Sequence, residues 1–229
     1  MEPVSAPWVF VDDVDAPTLG GDDRHHLERV LRVRLGDEVV VSDGAGRWRT
    51  GTLAIAGRVE PTDEIVVEER PEPAITIAFA LTKGKRPELA VQKLTELGAD
   101  AVVPFTAARS VVRWDERRAA AHVARLRRVA REASMQCRRP WVPEVADVTT
   151  FAEATALPGA SLADAGGRGP SLDRPTVLVG PEGGWTDEER SCGLATVGLG
   201  QHILRAETAA MAAAGLLAAL RARLVRPGR

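Results

Sequence analysis

The residues best suited to chemistry lie in a glycine-rich stretch, Leu178 to Glu189, that contains Gly180, Gly183 and Gly184. This stretch follows a predicted strand and precedes a predicted helix, which is where open α/β sheets bind ligands. The glycines permit close approach of the backbone, but the Lys and Ser/Thr of a phosphate-binding loop are absent. Glu182 would repel a polyphosphate and suits ribose hydroxyls or a cation, such as the sulfonium of S-adenosylmethionine. A plain turn with a helix cap would have the same pattern.

A second polar cluster, Arg205, Glu207 and Thr208, stands where a short predicted strand at residues 201–204 leads into the last predicted helix. Polar groups at the start of a helix are held in place and partly desolvated, as binding sites require. An ordinary helix cap with an Arg205–Glu207 surface pair would explain the same residues.

Basic charge is concentrated in one part of the chain. The formal net charge is −2, from 30 Lys and Arg against 32 Asp and Glu. Between Arg109 and Arg139, however, ten arginines face three acids, a net charge of +7. Because phosphates respond to the local field, this segment favours RNA binding. A solvated helix face is the alternative, since 27 of the 30 basic residues are arginines.

The chain before Pro71 has a β-rich pattern with a short helical segment, typical of a small barrel. Asp43-Gly44 between apolar runs predicts a hairpin. Its predicted strands are residues 8–11, 39–41, 48–55 and 65–67, and its helical pattern falls within 22–35.

From Ala74 onward, strands alternate with helices, which predicts an α/β fold with a parallel sheet covered on both faces. Pro71 and Pro73 mark a boundary, which divides the chain into domains 1–71 and 74–229. The predicted strands are residues 75–81, 101–103, 161–163 and 176–179; the predicted helices are 87–97, 117–135, 187–194 and 207–224; residues 159–175 read as a mobile loop.

Several classes of protein are excluded by composition. The sequence has no apolar run long enough to span a bilayer and no basic start followed by an apolar stretch. Cys137 and Cys192 are its only cysteines, and no Cys/His cluster has zinc spacing. We therefore expect a cytoplasmic protein without a membrane or metal partner.

Five segments of the chain occur in an order that identifies a family. They are His25 to Asp37, Gln92 to Gly98, Glu132 to Pro140, Gly180 to Gly184, and Leu199 to Ala209. Together they resemble the RsmE family, which are 16S ribosomal RNA (uracil-N3)-methyltransferases of the SPOUT class. Met135 stands where this family usually has a glutamate.

The resemblance implies an N-terminal PUA-like small β-barrel, which binds RNA, and a C-terminal SPOUT α/β knot, a parallel sheet with a trefoil-knotted C-terminus. It implies S-adenosylmethionine as cofactor, a homodimer, and the small ribosomal subunit as partner. The implied reaction is methylation of N3 of uridine 1498 in 16S rRNA, on an assembled or partly assembled subunit.

The resemblance also implies roles for particular residues. Arg138 or Arg205 would stabilise the uracil anion, and Glu207 would remove the proton or position the base. The implied cofactor contacts are Leu178, Gly180, Glu182, Gly183, Gly184, Leu199, Gly200, Ile203, Leu204, Arg205 and Thr208. The implied RNA contacts are Arg24, Arg29, Arg32, Lys83, Lys85, Lys93, Arg109, Arg138 and Arg139.

Two other functions stay open at this stage. One is a SPOUT-class enzyme that methylates a ribose 2′-hydroxyl, and the other is an RNA-binding assembly factor without catalysis.

Overall fold

A computed structural model describes residues 6–84, 86–112 and 114–226. The chain forms two compact units, Met1–Arg70 with Ser134–Val142, and Pro71–Ala133 with Pro143–Arg229. The smaller unit thus includes the segment Ser134–Val142, which follows Arg70 by more than sixty residues along the chain. The proposed functional domains 1–71 and 74–229 stay a prediction.

The smaller unit is a five-stranded sheet in the order β1-β2-β3-β4, with β5 also paired to β3. β1 is parallel to β2, and the other pairs are antiparallel. The Asp43 carboxylate accepts hydrogen bonds from the Ala45 and Arg47 amides at 2.7 and 3.1 Å, which closes the predicted hairpin. The elements are β1 Trp8–Phe10, α1 Gly21–His25 followed by a π-helical turn His26–Val30, β2 Glu38–Ser42, β3 Arg47–Leu53, β4 Val59–Pro61 and β5 Val66–Val67.

The larger unit is a seven-stranded sheet in the order β12-β10-β11-β6-β7-β8, with β9 also paired to β7, and every pair is parallel. This confirms the predicted parallel α/β architecture. The strands are β6 Thr76–Ala80, β7 Ala101–Thr106, β8 Glu144–Val145, β9 Thr149–Thr150, β10 Ala160–Arg168, β11 Thr176–Val179 and β12 Ala195–Val197. The helices are α2 Arg86–Glu96, α3 Glu116–Gln136, α4 Phe151–Thr155, α5 Asp187–Arg190 and α6 Ala206–Arg221.

Both faces of this sheet are covered, which explains its uninterrupted apolar strands. Along β6, Ile77 and Phe79 belong to one apolar cluster, while Ala78 and Ala80 belong to another. α6 packs on the first face through positions spaced three and four residues apart, as an amphipathic helix does. These positions are Ala210, Ala213, Ala214 and Leu217, all fully buried.

Three predicted elements need correction. The helix predicted at 187–194 ends at Arg190, and the short strand predicted at 201–204 lies instead at Ala195–Val197, where it pairs with β10. The strand predicted at 161–163 is longer than expected, Ala160–Arg168, and takes up much of the loop predicted at 159–175; a bulge separates two registers against β12. The polar and glycine-rich composition of residues 164–168 hid the second part of this strand, which sheet pairing stabilises. Strands β4, β8 and β9 and helix α4 are too short for a periodic pattern to reveal.

The order of the strands reverses between β6 and β11. The chain leaves β6 towards β7 on one side and leaves β11 towards β12 on the other. The carboxyl ends of β6 and β11 are neighbours, because Phe79 pairs with Val179. Such a reversal opens a crevice at the carboxyl ends of the strands, where α/β proteins bind ligands.

Candidate functional site

The connection after β11, Gly180 to Gly184, forms a tight turn at this crevice. The Gly184 amide donates to the Pro181 carbonyl at 2.8 Å. Gly184 has φ +68°, a left-handed conformation, and a Cβ there would have no atom within 4 Å. A Cβ at Gly180 would lie 2.9 Å from the Trp185 ring. Gly180 is thus required by packing against Trp185, while Gly184 leaves its backbone open to a ligand.

Trp185 anchors the exit of this turn. Its ring is 2% exposed, it stacks on Phe105, and its Nε1 donates to the Ala163 carbonyl at 2.9 Å. Because the indole is fixed on β10, the turn before it has a rigid support.

Thr186 begins α5 with a reciprocal capping box. Its hydroxyl accepts from the Glu189 amide at 3.2 Å, and Glu189 Oε2 accepts from the Thr186 amide at 2.9 Å. The other oxygen of the buried Glu189 accepts from the Ala108 amide at 2.8 Å. Hydrogen bonds from its own amide and from the Thr186 hydroxyl, with the charge of Arg109, lower the pKa of Glu188.

Arg109 holds the glycine turn from the β7 side. Its Nη1 donates to the carbonyls of Gly183 and Trp185, both at 3.1 Å. A Cβ at Gly183 would lie 3.1 Å from the Cβ of Arg109. The structure thus gives Arg109 a role in positioning the turn, and its RNA contact stays a prediction.

Arg86, at the start of α2, joins the two motifs that the sequence presents separately. Its Nη1 contacts Glu182 Oε1 of the glycine turn at 2.5 Å. Its Nε lies 4.0 Å from Glu207 Oε1, in the first turn of α6. The carboxylates of the two motifs therefore share one guanidinium beside the end of β6.

A small pocket, open to solvent, lies beside Arg86 and Glu207. The Glu207 side chain is only 14% exposed, and its Oε2 is buried without a hydrogen-bond partner among the described residues. A buried acceptor without a partner is costly, so this oxygen is available to a donor from a ligand. The pocket is lined by Phe79, Thr82, Arg86, Ala90, Ala206, Glu207 and Ala210.

The predicted cofactor residues around α6 differ in accessibility. Arg205 occupies the N-cap position without a side-chain cap, and Arg205, Thr208 and Gly200 are exposed. Ile203 is 98% exposed, whereas Leu199 is partly buried against the sheet core and Leu204 is half-buried. Leu178 is 0% exposed in β11, so its side chain is not available to a cofactor.

The predicted RNA residues are distributed over both units. Arg138 and Arg139 belong to the smaller unit, and Arg138 is exposed with φ +58°. Lys93 is paired with Glu96 at 2.7 Å. Arg24 is likewise paired, with Glu28; Arg29, Arg32 and Lys83 are exposed, and Lys85 lies outside the described residues.

The chemistry of the glycine turn fits S-adenosylmethionine, which carries a sulfonium, an ammonium and a carboxylate. Glu182 supplies negative charge and its partner Arg86 supplies positive charge, while Gly184 allows close approach of the main chain. Sequence reasoning missed Arg86, Trp185 and Glu189. One feature of the sequence could have identified Arg86 as a site residue: it follows the carboxyl end of the strand predicted at 75–81, where α/β proteins bind ligands.

Other binding classes leave no sign in the described part of the chain. No helix there is long and apolar enough to cross a membrane. No group of three or more His, Cys, Asp or Glu side chains there has the arrangement of a metal site.

Two domain families match the chain. The RNA methyltransferase domain family matches residues 68–218, and the RNA methyltransferase PUA domain family matches residues 19–59. The chain is 35% identical to ribosomal RNA small subunit methyltransferase E of Synechocystis, over 86% of this chain and 70% of that protein.

Two solved structures have the same fold. The ribosomal RNA small subunit methyltransferase E of Neisseria gonorrhoeae, bound to S-adenosyl methionine, has a TM-score of 0.77 at 31% identity, covering 94% of this chain and 98% of that chain. A probable rRNA-methyltransferase from Porphyromonas gingivalis has a TM-score of 0.79 at 27% identity, covering 96% and 100%. The expected combination of a PUA-like and a SPOUT fold is confirmed.

Proposed function

The chain belongs to the ribosomal RNA small subunit methyltransferase E family, and from this we propose that it methylates N3 of a uracil in small-subunit rRNA. Membership makes it an S-adenosylmethionine-dependent rRNA methyltransferase. The uracil N3 target, its position at uridine 1498 and the assembled subunit as substrate are the proposed refinements.

One observation carries the proposal. Arg86 brings the carboxylates of the two family motifs, Glu182 and Glu207, to one guanidinium at the point where strand order reverses. The residues that carry the resemblance are therefore adjacent in space, as a shared active site requires.

The cofactor would lie along the main chain of two segments. Gly180 to Gly184 and Leu199 to Leu204 would contact it, with Arg205 and Thr208 at the start of α6. S-adenosylmethionine supplies an electrophilic methyl group when bound. The protein's contribution is to hold donor and acceptor in line, which supplies several kcal/mol by proximity.

The acceptor atom dictates how the base must bind. N3 lies on the Watson–Crick edge, so the uracil has to be unpaired and out of its stack. The open Oε2 of Glu207 is suited to the N3–H donor, and Arg205 is suited to the negative charge that develops on O2 or O4. Arg138, in the smaller unit, is assigned either to that charge or to a backbone phosphate.

The remaining parts of the proposal concern the assembly. We assign residues 1–71 to RNA binding and 74–229 to methyl transfer, in a homodimer. Lys83, Arg29 and Arg32 are exposed and suited to phosphates. The cytoplasmic location and the trefoil knot stay predictions.

Nucleoside mass spectrometry of rRNA from a deletion strain tests the function. We expect 3-methyluridine to disappear from small-subunit rRNA and to return with the intact gene. Unchanged 3-methyluridine would reject the proposal. If the rRNA of the deletion strain instead loses a linkage that resists alkaline hydrolysis, the protein is a ribose 2′-O-methyltransferase. If calorimetry detects no binding of S-adenosylmethionine to the protein at millimolar concentration, the protein is a non-catalytic factor.

A further inference from the structure

The ion pair between Arg86 and Glu182 is not explained by a contribution to the stability of the fold. Its side chain is 42% exposed and its partner Glu182 is 39% exposed. Exposed ion pairs of this kind contribute little to folding. The contact therefore calls for a role in the site, where Arg86 is flanked by carboxylates from two different elements.

Glu207 depends on this guanidinium. The Glu207 carboxylate is mostly buried beside Phe79, Ala90 and Ala210, and a buried charge without a partner is unfavourable. Arg86 is the cation found within 4.0 Å of Glu207 in the described part of the chain. Without it, the carboxylate would gain by turning towards solvent.

We propose that Arg86 is a positioning residue that keeps Glu207 directed into the pocket, with its own guanidinium fixed by Glu182. The proposal rests on the methyltransferase function stated above. A planar guanidinium with five donors can face two carboxylates at once, whereas the single ammonium of lysine cannot match that geometry. Glu207 Oε2 then stays free to receive one N–H donor of the bound base.

The test compares R86Q, R86K and E207Q in the full-length protein. Single-turnover methyl transfer to small ribosomal subunits is measured at saturating S-adenosylmethionine, with affinity for S-adenosylhomocysteine measured by calorimetry. We expect R86Q to slow transfer by about 10- to 100-fold, since small errors of position cost this much. We expect R86K to recover part of the rate, and the cofactor affinity of both to change by less than about threefold.

The decisive measurement is the double variant. Because Arg86 acts through Glu207, R86Q in an E207Q background should slow transfer by less than about twofold more. R47Q is the matched control, because Arg47 is also 42% exposed and paired with a carboxylate, Asp15, at 2.9 Å. R47Q should keep the wild-type transfer rate at saturating subunits.

Several results would overturn the proposal. They are additive losses in the double variant, a normal rate in R86Q or E207Q, or a loss confined to cofactor affinity. Loss of the folded state in both R86Q and R86K at the assay temperature, with R47Q still folded, would indicate a merely structural role and would also overturn it. The methylated product of the wild-type enzyme is identified separately by mass spectrometry and tests the proposed function. A failure of that function can therefore be distinguished from a failure of the role proposed for Arg86.

Discussion

Among single residues, two glycines with the same backbone conformation and different locations are the sharpest probes. Gly184 and Gly193 both have positive φ, +68° and +85°, and a Cβ on either would have no neighbour within 4 Å. An alanine at either position should therefore suffer a similar backbone strain of about 1 kcal/mol. They differ in location, because only Gly184 belongs to the candidate cofactor turn.

We accordingly expect Gly184→Ala to weaken binding of S-adenosylmethionine by tenfold or more, on the order of 1.4 kcal/mol, while Gly193→Ala binds normally. Isothermal calorimetry measures both affinities, and thermal unfolding checks that the two variants lose similar stability. Equal cofactor affinity in the two variants would move the site away from this turn.

At the scale of elements, α4 has a start signal that its shortness concealed. The Thr150 amide and hydroxyl donate to Glu153 Oε2 at 2.7 and 2.8 Å, and the Glu153 amide donates back to the hydroxyl at 3.2 Å. These hydrogen bonds to the carboxylate hold the pKa of Glu153 below its ordinary value of 4.5. The capping box contributes its full stability at pH values above the pKa that Glu153 has in the unfolded chain. The contribution of the charged carboxylate is lost as the pH falls through the lower pKa that Glu153 has in the folded chain.

Thr150→Ala should therefore lower the free energy of unfolding by about 1 kcal/mol near neutral pH, and by less in acid. Thr150→Ser keeps the hydroxyl and serves as the control. Urea unfolding at neutral pH and below the pKa of Glu153 measures the difference. A destabilisation independent of pH would show that the carboxylate adds nothing to the cap.

Ion pairs neutralise part of the basic charge on helix α3. The net charge counted between Arg109 and Arg139 therefore overstates the electrostatic field that RNA would meet. Arg118, Arg125 and Arg127 pair with Asp115, Glu88 and Asp147, and Arg109 is bound to the glycine turn. Arg128, on the same helix, is exposed without an ion pair among the described residues.

Arg128→Gln should weaken binding of rRNA more than Arg125→Gln, because the Arg125 guanidinium already lies 2.9 Å from a carboxylate. If Arg128 meets a phosphate, its loss should reduce the slope of log affinity against log salt by about 0.7 to 0.9. Filter binding at several salt concentrations checks this. Slopes unchanged from the wild type in both variants would remove α3 from the RNA surface.

At the scale of the whole molecule, the homodimer is a prediction from the resemblance. The nearly complete exposure of Ile203, at 98%, leaves an apolar side chain beside the candidate site for a cofactor or a partner chain to cover. We expect light scattering to give twice the mass of one chain. An Ile203→Ser variant that stays dimeric but binds S-adenosylmethionine weakly would assign this side chain to the cofactor, and a monomer would assign it to the interface.

The sequence alone determined the features that depend on neighbours along the chain. Asp43-Gly44 predicted the hairpin, and Gly98, with φ +90°, follows α2 as predicted. The apolar run at Ile75 predicted a buried strand. The order of the motifs gave the family, because each motif is a short segment of fixed residues.

Features that depend on distant pairing follow only from the folded arrangement of the chain. β12 lies at Ala195–Val197 because β10 pairs with it there, and nothing within residues 201–204 reveals this. Arg86 meets Glu182 and Glu207 because the strand order brings the end of β6 beside the end of β11. About one hundred residues separate these partners, so no local propensity encodes their contact, and only the packed sheet brings the charges together.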